Sequence, residues 1–74
     1  MHKHFTLKQF RYFLAVSESG SIAAAARLVN IAQSALTKSI QELESTLGSP
    51  LFERQPRGML LTQAGYRFEA SARK

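Results

Sequence analysis

Apolar residues recur at helical spacing along most of the chain, and the clearest such stretch lies in the range 33–47. There the apolar residues follow one another at steps of four, three and four, at Leu36, Ile40, Leu43 and Leu47. This spacing places them on one stripe of an α-helix, and such a stripe is buried in a folded domain. Polar residues lie largely on the other faces, and those in the first turns are Gln33, Ser34, Thr37 and Lys38. The pattern predicts a helix with a buried back and an uncharged-polar, weakly basic front.

Two further helices are predicted before this one. Thr6 is a good N-cap residue, and Gln9 three positions later completes a capping-box pattern that starts the first helix. Gly20 is placed to end that helix. Ser21 caps a second helix, IAAAARLV, whose four alanines leave room for another helix to approach closely. The aromatic residues of the first helix fall on its apolar stripe, so we expect them to belong to the core.

The second and third predicted helices are joined by the three residues 30–32. Asn30 tolerates the left-handed conformation of a tight turn, and a short helix, a tight turn and a longer helix form a helix-turn-helix. Ala32 is a poor N-cap, which weakens the start of the third helix by about 1 kcal/mol. The polar front of that helix suits the major groove of DNA. Because every amphipathic helix has a polar face, an ordinary solvated face stays open as the alternative.

The segment that follows is predicted to be a hairpin. Residues 52–54 and 59–61 form two short strands, with 55–58 as a tight connection that contains proline and glycine. Arg54 and Arg57 flank or occupy the tip of this hairpin. An arginine-bearing hairpin beside a helix-turn-helix is typical of a wing, which contacts phosphate or a narrow minor groove. The alternative is a solvated surface hairpin.

A final helix is predicted to begin after Thr62, its N-cap residue. Small and aromatic residues recur in it at steps of four, at Ala64, Phe68 and Ala72. The chain ends at Lys74 while this pattern is still helical. We therefore expect a truncated amphipathic helix that pairs with a partner helix, most simply the same helix in a second copy.

Composition and charge narrow the kinds of partner. The chain has 74 residues, of which 45% are hydrophobic, and a formal net charge of +5. A basic chain favours an anionic partner, most commonly nucleic acid, although an anionic membrane surface or an acidic protein also fits. No apolar run approaches the roughly 20 residues of a membrane span. We expect one small domain that does not enter the membrane.

Candidates for catalysis or metal binding are few. The sequence has no cysteine and no aspartate, and its histidines are His2 and His4 near the N-terminus. Nucleophilic catalysis needs a base beside the nucleophile, and a metal site needs further ligands of suitable type. We expect no enzyme activity, no metal and no cofactor, and we expect the N-terminus to be frayed.

Three stretches together resemble a known family. They are AVSESGSIAAAARL, QSALTKSIQELESTLG and LFERQPRGMLLTQAG. In this order and spacing they are similar to the N-terminal winged helix-turn-helix domain of LysR-type bacterial transcription regulators, and the resemblance covers Leu7 to Gly65. It implies a mainly α fold with a three-helix core, a short two-stranded β wing and a C-terminal linker helix.

The resemblance implies sequence-specific binding of double-stranded DNA by residues 1–61. The helix-turn-helix would span about 22–41 and the wing about 51–61, with the recognition helix 33–47 in the major groove. The family's contacting positions on that helix fall at Gln33, Ser34, Thr37 and Lys38, and the wing contacts fall at Arg54 and Arg57.

The resemblance also implies how a complete regulator of this kind would be organised. Residues 62–74 would be the start of the linker helix through which family members dimerise, so that a homodimer binds a dyad-symmetric operator. A C-terminal domain that binds a small-molecule effector would normally follow, and this sequence does not contain it. Such a regulator would act in the bacterial cytoplasm, on the nucleoid.

The sequence departs from the family pattern at three positions. Family members usually have serine at the position of Ala32, proline at that of Ser34 and arginine at that of Lys38. Lysine is a point charge without the two-pronged fork of arginine, so base recognition there is expected to differ. Two alternatives stay open, which are an internal role for Arg54 and a protein-interaction module of winged-helix shape in place of a DNA reader.

Overall fold

The computed structural model describes residues 4–73, which form four helices and one two-stranded sheet. The elements in chain order are α1 (Leu7–Ser19), α2 (Ile22–Val29), α3 (Gln33–Leu47), β1 (Phe52–Gln55), β2 (Gly58–Leu61) and α4 (Gln63–Ala72). Each predicted helix is present, and the fold is mainly helical, as predicted. His2 and Lys74 lie outside the described residues, and so do the predictions made for the histidine pair and for the last residue of the final helix.

Side-chain hydrogen bonds to the backbone start three of the four helices. Thr6 Oγ1 accepts from the N–H of Gln9 at 3.0 Å, and Gln9 Oε1 accepts from the N–H of Thr6 at 2.9 Å, which confirms the predicted capping box. Ser21 caps α2 by accepting a backbone N–H at 3.0 Å, and Thr62 caps α4 in the same way. Ala32 makes no such bond at the start of α3, because its methyl group has no acceptor.

Two tight turns bring the first three helices together. Gly20 and Asn30 both adopt the left-handed conformation, with φ of 80° and 59°, and each ends a helix. In the range 4–73, Asn30 is the one residue other than glycine with a positive φ, as the predicted turn requires. Ala25 and Ala26 of α2 are buried, and their small side chains allow α1 and α3 to pack closely on that helix.

The core lies between α1, α3, the base of the wing and α4. Its largest fully buried side chains are Phe13, Val16, Leu36, Leu43 and Leu51. The ring of Phe13 lies edge-on to Phe68 of α4, with centroids 4.9 Å apart, and its centroid is 5.3 Å from that of Phe52 in β1. Phe13 is thus a core residue, as predicted for the aromatic side chains of α1. It packs the wing and α4 onto the helical domain.

The strands β1 and β2 form an antiparallel hairpin at the predicted position of the wing. Gln55 pairs with Gly58 at the end of the ladder, so the connection is the two-residue turn Pro56–Arg57. The sequence predicted a connection over 55–58, which is wrong by one residue at each end. Gly58 has a φ of 147°, a conformation open to glycine, and this lets the second strand begin directly after the turn.

α4 packs on the domain through one face and leaves the other open. Phe68 is buried, and Ala64 and Ala72 are partly buried against the core, which confirms the predicted stripe at steps of four. Tyr66 lies away from this stripe and is 63% exposed. The outward face of α4 is therefore available for contact with another molecule.

Candidate nucleic-acid interface

α3 presents the polar front that its sequence predicted. The apolar stripe is buried on the back of the helix, and among the front residues Thr37 is half-buried while three are exposed, which are Gln33, Ser34 and Lys38. Within residues 4–73 these four side chains form no hydrogen bond or ion pair with one another or with the rest of the domain. Their polar groups are thus available to an external partner.

Arg54 extends this surface along one side of α3, and Arg57 lies farther out on the wing. Both are exposed, and neither side chain forms a hydrogen bond or an ion pair inside the described part of the chain. Arg54 lines a cleft of about 160 Å³ between α3 and the wing, together with Thr37, Gln41 and Glu44. Arg57 lies in the two-residue turn at the tip of the wing. The structure therefore brings Arg54 beside α3 and places Arg57 at the outer end of the hairpin.

Gln41 belongs to the same surface, although the sequence analysis left it out of the predicted contacts. It is exposed and lines the cleft that contains Thr37 and Arg54. Its spacing of four residues from Thr37 could have identified it, because residues i and i+4 lie on the same face of a helix.

A second cleft follows the opposite side of α3. It is formed by residues of α1 and α3 and carries the charged side chains Lys8, Lys38 and Glu42 beside the hydroxyl-bearing Tyr12. Lys8 is therefore close to the front of α3, although it is far from that helix in sequence. Sequence spacing gave no sign of this, because the packing of α1 on α3 decides it.

A short helix, a tight turn, an exposed polar helix and an arginine-bearing hairpin beside it define a winged helix-turn-helix domain. The profile of the family described as bacterial regulatory helix-turn-helix proteins of the lysR family matches residues 7–66. The chain belongs to this family, as its three sequence motifs predicted. In the part of the chain described, no three potential metal ligands cluster, and no helix has the length and apolarity of a membrane span.

Curated relatives of this chain are transcription regulators. The HTH-type transcriptional regulator ClcR of Pseudomonas putida is 52% identical over 67 residues, which are 90% of this chain and 23% of ClcR. TcbR of Pseudomonas sp. strain P51 is 45% identical over 67 residues, again 90% of this chain and 23% of the relative. The chain thus spans about a quarter of the length of these curated relatives.

Solved structures show the same fold. The DNA-binding domain of CbnR in complex with DNA superimposes with a TM-score of 0.87 at 43% identity, over 93% of this chain and 79% of that one. The DNA-binding domain of BenM in complex with benA site 1 DNA gives a TM-score of 0.86 at 41% identity, over 92% of this chain and 79% of that one. The fold is that of LysR-type DNA-binding domains, as predicted.

Proposed function

We propose that this domain binds double-stranded DNA sequence-specifically, as the DNA-binding part of a LysR-type transcription regulator. α3 lies in the major groove, and the wing lies on the minor groove or the backbone. One observation carries the proposal: Thr37 of the polar front of α3 and Arg54 of the wing line the same cleft, and none of the predicted contact side chains forms a hydrogen bond or an ion pair within the described chain. The net charge of +5 and the DNA complexes of two similar domains support the same function.

The residues of α3 take different roles in this proposal. Gln33, Thr37 and Lys38 contact base edges, because they lie in the first turns of a recognition helix, the part that reaches the groove floor. Ser34 adds a hydroxyl group that can donate to or accept from a base or a phosphate.

The two arginines of the wing contact the duplex outside the major groove. Arg57, at the exposed turn, enters the minor groove, where a cation gains from the concentrated negative potential. Arg54, next to α3, binds a phosphate and fixes the register of the helix in the major groove.

The remaining features of the regulator belong to the same proposal. Residues 1–61 are the DNA-binding domain, and residues 62–74 begin a linker helix that pairs with a second copy through the open face of α4, which carries Tyr66. The homodimer binds a dyad-symmetric operator in the bacterial cytoplasm, responds to a small-molecule effector through a further domain, and has no catalytic role. The regulators that this chain matches over about a quarter of their length support this arrangement.

Selection of binding sites from random duplex DNA tests the proposal directly. The selected duplex is then compared with a scrambled one by fluorescence anisotropy at two salt concentrations. We expect an enriched dyad-symmetric site that is bound more tightly than the scrambled duplex by about a thousandfold or more, as is usual for specific readers. Weak binding that ignores sequence and vanishes as salt rises would favour a protein-interaction module with a basic surface.

Two pairs of variants test the assigned roles. Gln33→Ala should change the preferred bases, whereas Gln63→Ala, the same substitution at an exposed position of α4, should leave them unchanged. Arg57→Gln should weaken binding to all duplexes and lower the salt slope by about one, because one phosphate-region cation is lost. Arg11→Gln, which removes an exposed cation of α1, should change the slope less.

A further inference from the structure

Glu44 joins the recognition helix to the wing. Its carboxylate oxygen Oε2 accepts a hydrogen bond from the N–H of Leu51 at 2.7 Å and a second from the N–H of Phe52 at 3.2 Å. Leu51 and Phe52 are 1% and 7% exposed, so these backbone groups have little access to water. A buried N–H group without an acceptor is costly, and a carboxylate makes a stronger acceptor than a neutral group.

The main chain of Glu44 also fixes the loop that leads to the wing. Its carbonyl oxygen accepts from the N–H groups of Gly48 at 2.8 Å and Ser49 at 3.2 Å, which ends α3. One residue thus holds both ends of the short segment between α3 and β1, the first end by its main chain and the second end by its side chain.

Glu44 lies on the side of α3 that faces the wing. Thr37, Gln41 and Glu44 follow one another at steps of four and three and line the cleft that contains Arg54. The carboxylate therefore sets the position of β1 relative to the front of α3. Removal of this acceptor would free the base of the wing from the helix, while the aromatic contacts of Phe52 in the core stay in place.

We infer that Glu44 is a positioning residue for DNA binding, an inference that rests on the function proposed above. It contacts no base or phosphate itself. Its carboxylate holds the wing at the distance from α3 at which the wing arginines reach a phosphate and the minor groove while Gln33 and Lys38 reach the bases of the same duplex.

The direction in which substitution of Glu44 changes DNA affinity separates this positioning role from simple electrostatics. Loss of a negative charge from a DNA-binding domain should strengthen its attraction to phosphate. Glu42, an exposed glutamate on the opposite side of α3, provides the matched control, because it has no partner among the described residues. Glu42→Ala should leave DNA affinity unchanged or raise it, whereas Glu44→Ala should lower it about tenfold, because the wing no longer engages.

A double-mutant cycle on the duplex selected by the unaltered 74-residue chain tests the inference. In the Glu44→Ala background, Arg57→Gln should have little further effect on affinity or on the salt slope, because the wing contact is already lost. Gln33→Ala should lower DNA affinity by the same factor as it does in the unaltered chain, because the position of α3 does not change. If Glu44 only stabilised the fold, Arg57→Gln would lower DNA affinity by the same factor in the Glu44→Ala background as in the unaltered chain. That result would overturn the inference.

Glu44→Gln keeps the test decisive if the alanine variant fails to fold. The amide oxygen can accept both hydrogen bonds but makes them weaker because it carries no charge, so we expect a smaller loss of affinity and a reduced, not abolished, Arg57→Gln factor. A full Arg57→Gln factor in the Glu44→Gln background would contradict the inference, while an unaltered chain without sequence preference would overturn the proposed function itself. The two failures are therefore distinguishable.

Discussion

The backbone N–H of Met59 in the wing donates a hydrogen bond of 2.8 Å to the carbonyl oxygen of Gly20, the residue that links α1 to α2. The wing is thus tied to the helix-turn-helix near its tip as well as at its base. Gly58, the residue before Met59, lies so close to this carbonyl oxygen that a β-carbon there would overlap it. The contact depends on the absence of a β-carbon at Gly58, and it joins two residues that are far apart in the sequence.

Gly58→Ala should destabilise the domain by about 2 kcal/mol or more, because the methyl group overlaps the Gly20 carbonyl and φ is unfavourable for alanine. Gly20→Ala is the control, since a β-carbon at Gly20 meets open space and only the left-handed backbone opposes it, at a cost of about 1 kcal/mol. Urea denaturation of both variants measures the difference. Equal losses would show that the close approach of the wing contributes nothing.

Ala32→Ser should stabilise the domain by about 1 kcal/mol, because a serine hydroxyl can accept from the uncapped N–H groups at the start of α3. The control is Ala35→Ser, which places the same side chain at an exposed position in the first turn of the same helix, beyond the cap position, where serine is a weaker helix former than alanine. Thermal unfolding followed by circular dichroism would detect the gain. A midpoint for Ala32→Ser no higher than that of the unaltered chain would contradict the expectation.

Lys38→Arg should change which bases are preferred at one position of the half-site while it keeps the salt slope, because the charge is retained and a bidentate donor replaces a point charge. Lys38→Gln should instead lower the slope by about one. Site selection with each variant, followed by salt titration, measures both effects. If both variants select the same site as lysine does, Lys38 contacts phosphate and not a base.

Leu43→Ala should lower the free energy of unfolding by about 3 kcal/mol, because this side chain is fully buried on the back of α3 and its loss leaves a cavity. Leu60→Ala is the matched control, since Leu60 is 58% exposed in β2 and should cost well under 1 kcal/mol. Urea denaturation gives both values. A comparable loss at Leu60 would mean that the outer face of the wing is covered in solution.

Features set by neighbouring residues were predictable, and features set by distant contacts were not. The capping box of Thr6 and Gln9 and the left-handed Asn30 follow from a few adjacent residues, so sequence alone identified them. The bond of Met59 to Gly20 required the packed structure, because it joins chain segments on different elements. The same holds for the carboxylate of Glu44, whose bonds to the N–H groups of Leu51 and Phe52 depend on how the chain folds back after α3.

In the candidate interface, too, local features were predictable from the sequence and features set by distant contacts were not. The helical period and the position of the hairpin predicted that Gln33 and Arg57 would face solvent, and both are exposed. The half-burial of Thr37 and the closeness of Lys8 to α3 depend on how the wing and α1 flank that helix. A single helix has a front and a back, but its neighbours decide how much of the front is open.

The two ties of the wing leave the turn Pro56–Arg57 beyond both of them. Its length is therefore independent of the packing that holds α3, β1 and β2 in place. In the proposed DNA complex, residues inserted into this turn would extend the reach of the wing along the duplex and leave the bases that α3 contacts unchanged. In this architecture the span of DNA that one domain covers and the sequence that it recognises are separate variables.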